Sequence, residues 1–454
     1  MATNVSEVIN TARFNLFHLR IWLLCALLVL IDGFDLSAIS YAAGDFVKYL
    51  GVDRAMMGPV FSAGFAGLCV GALTFGLVGD RWGPKRTFVL CGVIFGVFTL
   101  LTAAATSLGM LLTTRAIAGW GLGGATPLSI AIASEYIPRR LRTSLVMVMY
   151  ISLALGIIVG GVVFAQFTLF GWRSIFVVGG LAPLVAAPFL WAYLPERLEY
   201  MVMQGWPVSR IAPVLARVAP GRDFSREAEF TLDRENKAGN QLAQLFQEHR
   251  APITAVLWVV FFSSLLAVYF FTSWLPLLLA SYGLSQGQVV TINSSMSFGG
   301  IAGTIVAASF VLALGGFRTV AAGYFVSTLA IVVLALAPHS FGVLFVVSLA
   351  VGFFLIGTQS VLNAACANLY PPAIRATGVG WGFGVGRSAA IISPSLAGLL
   401  LAMKWQAGDL FLLAAVPTFA AAVSGFVVLL LVNRRERALA LVAAAPAPAR
   451  APAA

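Results

Sequence analysis

The chain has 454 residues, 60% of them apolar and only 10% charged, with a formal net charge of +11 and a mean hydropathy of +0.95. Soluble domains carry about 25% charged residues, so this composition excludes an ordinary soluble protein and requires one that lives in a bilayer. Four cysteines without paired spacing and three scattered histidines leave no disulfide framework and no metal-ligand cluster, so neither a metal nor another cofactor is expected.

Met1 to Asn15 is polar and lacks the basic start and small-residue cleavage site of a signal peptide, so the apolar run that follows reads as a retained span. Stretches near the ~20 residues a membrane helix needs recur at 20–42, 58–78, 88–106, 110–134, 144–169, 174–194, 253–280, 288–314, 319–337, 341–368, 378–403 and 410–432. The expected fold is an all-α membrane protein of twelve transmembrane helices. The expected division is a six-helix bundle over 1–194, a cytoplasmic central loop over 195–250, a second bundle over 251–432 and a disordered Ala/Pro-rich tail over 433–454.

The first span carries Asp32 and Asp35, three residues apart and therefore on one helical face, with Gly33 leaving room for a neighbouring helix. Two carboxylates sharing a buried face do not both stay ionised cheaply, which suits one of them to carry a proton. Asp35 is the preferred proton site and Asp32 its electrostatic partner; a purely structural role against arginines of the fourth or eleventh span is the alternative. Between spans two and three, Asp80, Arg81 and Lys85 lie in Gly76–Arg86, where a carboxylate at a helix end can latch neighbouring helices through basic side chains. The fourth span has Arg115 near one end and Glu135 near the other, about 30 Å apart. Arg115 reads as a structural charge facing the first span. Glu135 is a further proton-coupling candidate, able to join the latch through Arg139 or Arg142.

An ionisable residue inside the hydrocarbon costs about 2.5–3.5 kcal/mol and marks function by default. From Arg250 to Gly408 there is no Asp or Glu, so Arg387, in the eleventh span, has no acidic partner in its own half. Either it pairs across the molecule with a first-span carboxylate or it receives the planar carboxylate of a substrate. Aromatic walls and a few polar groups would complete such a site. The candidates are Phe271 and Trp274, next to Tyr269, in span seven, Asn293 in span eight, Gln359 and Asn363 in span ten, and Trp381 and Phe383 in span eleven, Phe383 one turn from Arg387.

Of the 28 Lys and Arg residues, 22 fall on the side of the two termini, four on the other and two inside spans. The bias predicts both termini in the cytoplasm. It also attributes the positive charge to an anionic leaflet rather than to a nucleic-acid stripe, so the bilayer is a partner and nucleic acid is not. No phosphate-binding Gly-x-x-x-x-Gly-Lys-Ser/Thr loop appears, and an enzyme is not expected.

Tyr136-x-Pro138 with Thr143 recurs as Tyr370-x-Pro372 with Thr377, which together with the six-plus-six count favours two parallel repeats. Gly76-Leu77-Val78-Gly79-Asp80-Arg81-Trp82-Gly83-Pro84-Lys85-Arg86 resembles the signature of the major facilitator superfamily, with Pro84 where a basic residue is usual. Asp32-Gly33-Phe34-Asp35 and Gly380-Trp381-x-x-Gly384-x-Gly386-Arg387 with Pro394 resemble signatures of its aromatic acid:proton symporter family. That resemblance implies functional roles for Asp32, Asp35 and Arg387, and uptake of a hydroxybenzoate-like carboxylate with protons by a bacterial inner-membrane carrier. A monomer is expected. The alternative is a carrier of another organic anion, or a drug or metabolite exporter.

Overall fold

The computed structural model describes residues 2–167, 170–224, 229–232, 241–247 and 250–444. Among them are twelve helices long and apolar enough to span a membrane. In chain order they are α1 Leu16–Leu50, α2 Met57–Trp82, α3 Pro84–Ala103, α4 Leu108–Tyr136, α5 Arg139–Gln166 and α6 Arg173–Tyr193. The second six are α7 Ala251–Ala280, α8 Gln286–Leu314, α9 Gly316–Leu336, α10 Phe341–Leu369, α11 Pro372–Ala402 and α12 Ala407–Ala444.

Every expected span is present, several longer than the apolar run alone. Asn15 and His18 form a capping box that starts α1 one turn early, and Gly51, at φ 63°, ends it. Gly83, at φ 99°, separates α2 from α3; a Cβ there would also lie 2.8 Å from Glu196 Oε2, so this turn needs glycine. Pro84 then opens α3 at a position whose N–H is unpaired in any helix.

The expected all-α membrane fold is what the structure shows. One expectation needs correction: the tail from residue 433 is not uniformly unstructured, because α12 continues to Ala444 through the strong helix formers of Arg434–Ala444; residues 445–454 lie outside the described residues. Outside the spans, β1, Ala2–Asn4, pairs in parallel with β2, Glu229–Thr231, so the chain start is tied to the central segment.

The halves repeat one packing plan: α1 lies on α5 as α7 lies on α11, α2 on α4 as α8 on α10, and α3 on α6 as α9 on α12. Backbones touch where glycines allow it. A Cβ at Gly67 would sit 1.9 Å from the Ala116 carbonyl oxygen, one at Gly123 2.0 Å from that of Leu68, and one at Gly352 1.8 Å from that of Met296. Gly123→Val is therefore expected to push α2 off α4 and destabilise the protein by about 1–3 kcal/mol. Gly76→Ala, whose new methyl would meet nothing within 4 Å, is the matched control. Thermal melting of the detergent-solubilised protein reads both, and an unchanged melting temperature for Gly123→Val would show that α2 and α4 are not packed this closely.

Contacts between the halves cluster toward the face away from the termini. Ser62 Oγ donates to the Ile391 carbonyl at 2.6 Å, Ser40 Oγ to the Ser273 carbonyl at 2.8 Å, and Asn293 Nδ2 to the Tyr41 hydroxyl at 2.8 Å. The Phe61 ring meets Trp274 edge-on at 5.4 Å, and Phe65 meets Tyr269 at 4.9 Å.

Candidate functional site

Asp32 and Asp35 project from the middle of α1, 5% and 2% exposed. One helical turn gives them opposite electrostatic situations. Both oxygens of Asp35 are held by Arg115 of α4, Oδ1 by Nη1 at 2.9 Å and Oδ2 by Nη2 at 2.5 Å, in a buried two-pronged ion pair. Asp32 has no such partner. Its Oδ2 accepts a hydrogen bond from Thr126 Oγ1 at 2.8 Å, while Oδ1 is buried with no hydrogen-bond donor.

Across the seam stands Arg387, half-buried on α11. The ion pairs among the described residues join Arg115 to Asp35 and Arg197 to Glu135 and Glu199, so Arg387 belongs to none of them. Asp32 of α1, Cys69 of α2, Tyr150 of α5 and Tyr269 of α7 lie within its electrostatic reach. Tyr150 belongs to the opposite half and is 48% exposed. A planar cation without an ion-pair partner among the described residues, an under-satisfied carboxylate and two phenols thus lie within electrostatic reach of one another across the halves. That set can take up a carboxylate and hold a proton.

Comparison with known proteins identifies the family. The model of the Major Facilitator Superfamily matches residues 25–393 and also 257–453. The chain is 34% identical to a 4-hydroxybenzoate transporter of Pseudomonas aeruginosa, over 89% of this chain and 90% of that one. It is also 34% identical to a gallate transporter of Pseudomonas putida, over 93% and 94%. The chain belongs to the aromatic acid transporter family of the Major Facilitator Superfamily. It is a carrier and not an enzyme. The xylose transporter XylE from E. coli, solved in an inward-open conformation, shares the fold with a TM-score of 0.71 at 16% identity, over 89% of this chain and 95% of that one.

In this carrier the other expected site residues fall into three groups. Phe383 is half-buried one turn from Arg387 and packs on Phe261 at 5.5 Å, while Trp381 is 43% exposed and stacks on Trp258 at 5.9 Å. Gln359 accepts from the Tyr324 hydroxyl at 2.9 Å and donates to Asn363 at 3.3 Å, a polar ladder between α9 and α10. The third group is engaged in packing. Phe271 is fully buried against Phe411 of α12, Trp274 is fully buried with Nε1 donating to the Pro394 carbonyl at 3.2 Å, and Asn293 is engaged with Tyr41.

The latch also has a different partner from the one expected. Glu135 pairs with Arg197 Nε and accepts the Glu199 N–H at 2.8 Å, not with Arg139, which is exposed, or Arg142, which donates to the Ile137 carbonyl at 3.4 Å. Asp80 is exposed within the electrostatic reach of the same Arg197. The Lys85 N–H donates to Glu196 Oε1 at 2.9 Å, and the Arg81 carbonyl accepts from the Tyr200 hydroxyl at 3.1 Å. Burial pushes the Glu196 carboxyl above the ordinary carboxylate range, against the N–H groups of Lys85 and Arg197 and the charges of Lys85 and Arg86. The cluster thus ties the α2–α3 turn and the end of α4 to Glu196–Tyr200, all on the N-terminal side of the molecule.

Thr126, Cys69 and Tyr150 escaped the sequence reading. Each shares its helix with hydroxyl residues, Ser129 near Thr126, Ser62 and Thr74 near Cys69, and Ser144 and Ser152 near Tyr150, so the sequence alone does not single it out.

Proposed function

We propose that this carrier imports a small aromatic carboxylate together with protons by alternating access, with both termini in the cytoplasm of a bacterial inner membrane and the closed seam on the outer side. Arg387 takes the carboxylate, Tyr150 and Tyr269 face the ring and its hydroxyl, and Asp32 carries the proton. The observation that carries this reading is Arg387, without an ion-pair partner among the described residues, within electrostatic reach of Asp32, whose Oδ1 has no donor. The relatives named above transport 4-hydroxybenzoate and gallate, both carboxylates on hydroxylated rings, which fits a guanidinium flanked by phenols.

The same pair supplies coupling. An anion on Arg387 adds negative charge beside Asp32, and a proton on Asp32 removes the repulsion, so each favours binding of the other by the same factor. Asp35, already neutralised by Arg115, is left to hold α1 against α4. This exchanges the roles that the sequence alone gave the two acids. Asp80, Arg81, Lys85 and Glu135 act with Arg197 as a latch that holds the inner face of the N-terminal half together as it moves.

The test is uptake into proteoliposomes under an inward pH gradient. 4-Hydroxybenzoate and gallate should accumulate and collapse to equilibrium when a protonophore is added, whereas phenol, which lacks the carboxylate, should show no gradient-dependent accumulation. Accumulation of the acids that ignores the pH gradient would remove the proton from the mechanism, and equal accumulation of phenol would remove Arg387 from recognition.

A further inference from the structure

Two cavities lie side by side outside the transport site, on the N-terminal half at the face of the termini. One, of about 470 Å³, is lined by Lys85 and Arg86 at the start of α3, Trp191 at the end of α6, and Arg210 and Arg217 of the short helix Val208–Val218. The other, of about 680 Å³, is lined by Arg20 and Leu16 of α1; Tyr193 and Arg217 line both. Five cations thus face one connected groove. The one carboxylate in it, Glu196, is engaged by the backbone N–H groups of Lys85 and Arg197. None of the five cations forms an ion pair with a described carboxylate.

The groove has a fixed floor. Val208–Val218 buries Ile211, Ala212, Leu215 and Val218 and leaves Arg210 and Arg217, two turns apart, on its exposed side. Its last carbonyls, those of Arg217 and Val218, accept from Asn15 Nδ2 at 3.1 and 3.3 Å, which pins it to the start of α1. Aromatic rings hold several of the cations in place: Lys85 lies 5.5 Å from the Trp191 ring centre, Arg20 5.4 Å from that of Tyr193, and Arg210 5.4 Å from that of Trp206.

The groove also sits at the level where a bilayer changes from headgroup to hydrocarbon. Trp191 and Tyr193 are 54% and 50% exposed at the end of a spanning helix, as belt residues are. Beside them exposed apolar ridges run into the membrane, Val185 and Phe189 along α6, and Leu16, Leu19 and Leu23 along α1. A free phosphate would satisfy the cations but leave the ridges unused. A lipid satisfies both.

We infer that this groove is a binding site for the phosphodiester headgroup of an anionic phospholipid, which joins the α2–α3 turn, the end of α6 and the helix Val208–Val218 while its acyl chains lie along α1 and α6.

The test is direct binding, independent of transport. The purified full-length chain, stripped of endogenous lipid, is titrated with phosphatidylglycerol or phosphatidylcholine and read by native mass spectrometry and by melting temperature. Phosphatidylglycerol should be retained in preference to phosphatidylcholine and raise the melting temperature. The Arg210→Gln/Arg217→Gln double variant should lose roughly 25-fold in that preference, at roughly fivefold per basic residue at a membrane surface, while Arg54→Gln on the opposite face keeps it. Should the double variant not fold, Lys85→Gln alone is read the same way, with a roughly fivefold loss expected. Equal retention of the two lipids, an unchanged preference in the groove variants, or equal stabilisation by inorganic phosphate would overturn the inference, the last by showing a site for free anions.

Discussion

Arg387→Ala is expected to weaken binding of 4-hydroxybenzoate by at least about 30-fold and to abolish measurable uptake, with Arg387→Lys restoring only part of either. Truncating one partner of a desolvated, hydrogen-bonded charge pair costs about 2–5 kcal/mol, and every 1.4 kcal/mol is tenfold in affinity. Lysine keeps the charge but not the planar fork that meets both carboxylate oxygens. The arginine's isolation provides a second readout that a structural role would not share. Because Arg387 is in none of the ion pairs among the described residues, its removal breaks no ion pair and spares the cost of a cation within a span. The melting temperature of Arg387→Ala without substrate should therefore be unchanged or higher, and the stabilisation that 4-hydroxybenzoate gives the wild type should vanish. A variant that melts lower yet still binds the acid with wild-type affinity would mean that Arg387 holds the bundle together and that the carboxylate is received elsewhere.

What the sequence made legible here, and what it hid, follow from the same physics. Arg387 stood out because no acid lies between Arg250 and Gly408, a fact of composition that needs no geometry. The shared face of Asp32 and Asp35 was equally accessible, since a spacing of three fixes it in any helix. Which of the two would meet Arg115 was not, because spacing along α1 does not say how α1 is rotated toward α4, and one turn separates a paired acid from an unpaired one. The packing partners of Phe271 and Trp274 were hidden for a related reason. A helix with lipid on one side and protein on the other is apolar all round, so nothing in α7 distinguishes a ring that packs on α12 from one that faces the seam. The Glu135–Arg197 pair joins residues 62 positions apart through a segment read only as a polar loop, and side-chain pairs at that separation leave no periodic trace.

The difference between the two acids leads to the sharpest contrast in behaviour. Asp35→Asn removes one member of a pair whose side chains are only 3% and 5% exposed and leaves Arg115 charged and buried. Breaking such a pair costs about 3–5 kcal/mol, enough to lower the yield and melting temperature of the folded carrier severely. Neutralising both partners, Asp35→Asn with Arg115→Gln, should recover much of that loss, because the stranded charge is gone. Asp32→Asn is expected to do the opposite. The amide still meets Thr126, no cation loses its only partner, and the buried oxygen without a donor no longer carries charge, so the protein should fold and still bind substrate at Arg387. What it loses is the proton. A one-unit inward pH gradient sustains about tenfold accumulation for each proton carried with the acid. For Asp32→Asn the accumulation ratio should fall to about one, while exchange of labelled for unlabelled 4-hydroxybenzoate across the same membrane continues. If Asp32→Asn still concentrates the acid against its gradient, and the folded fraction of Asp35→Asn with Arg115→Gln does not, the proton is carried by Asp35 after all and its bond to Arg115 must open during the transport cycle.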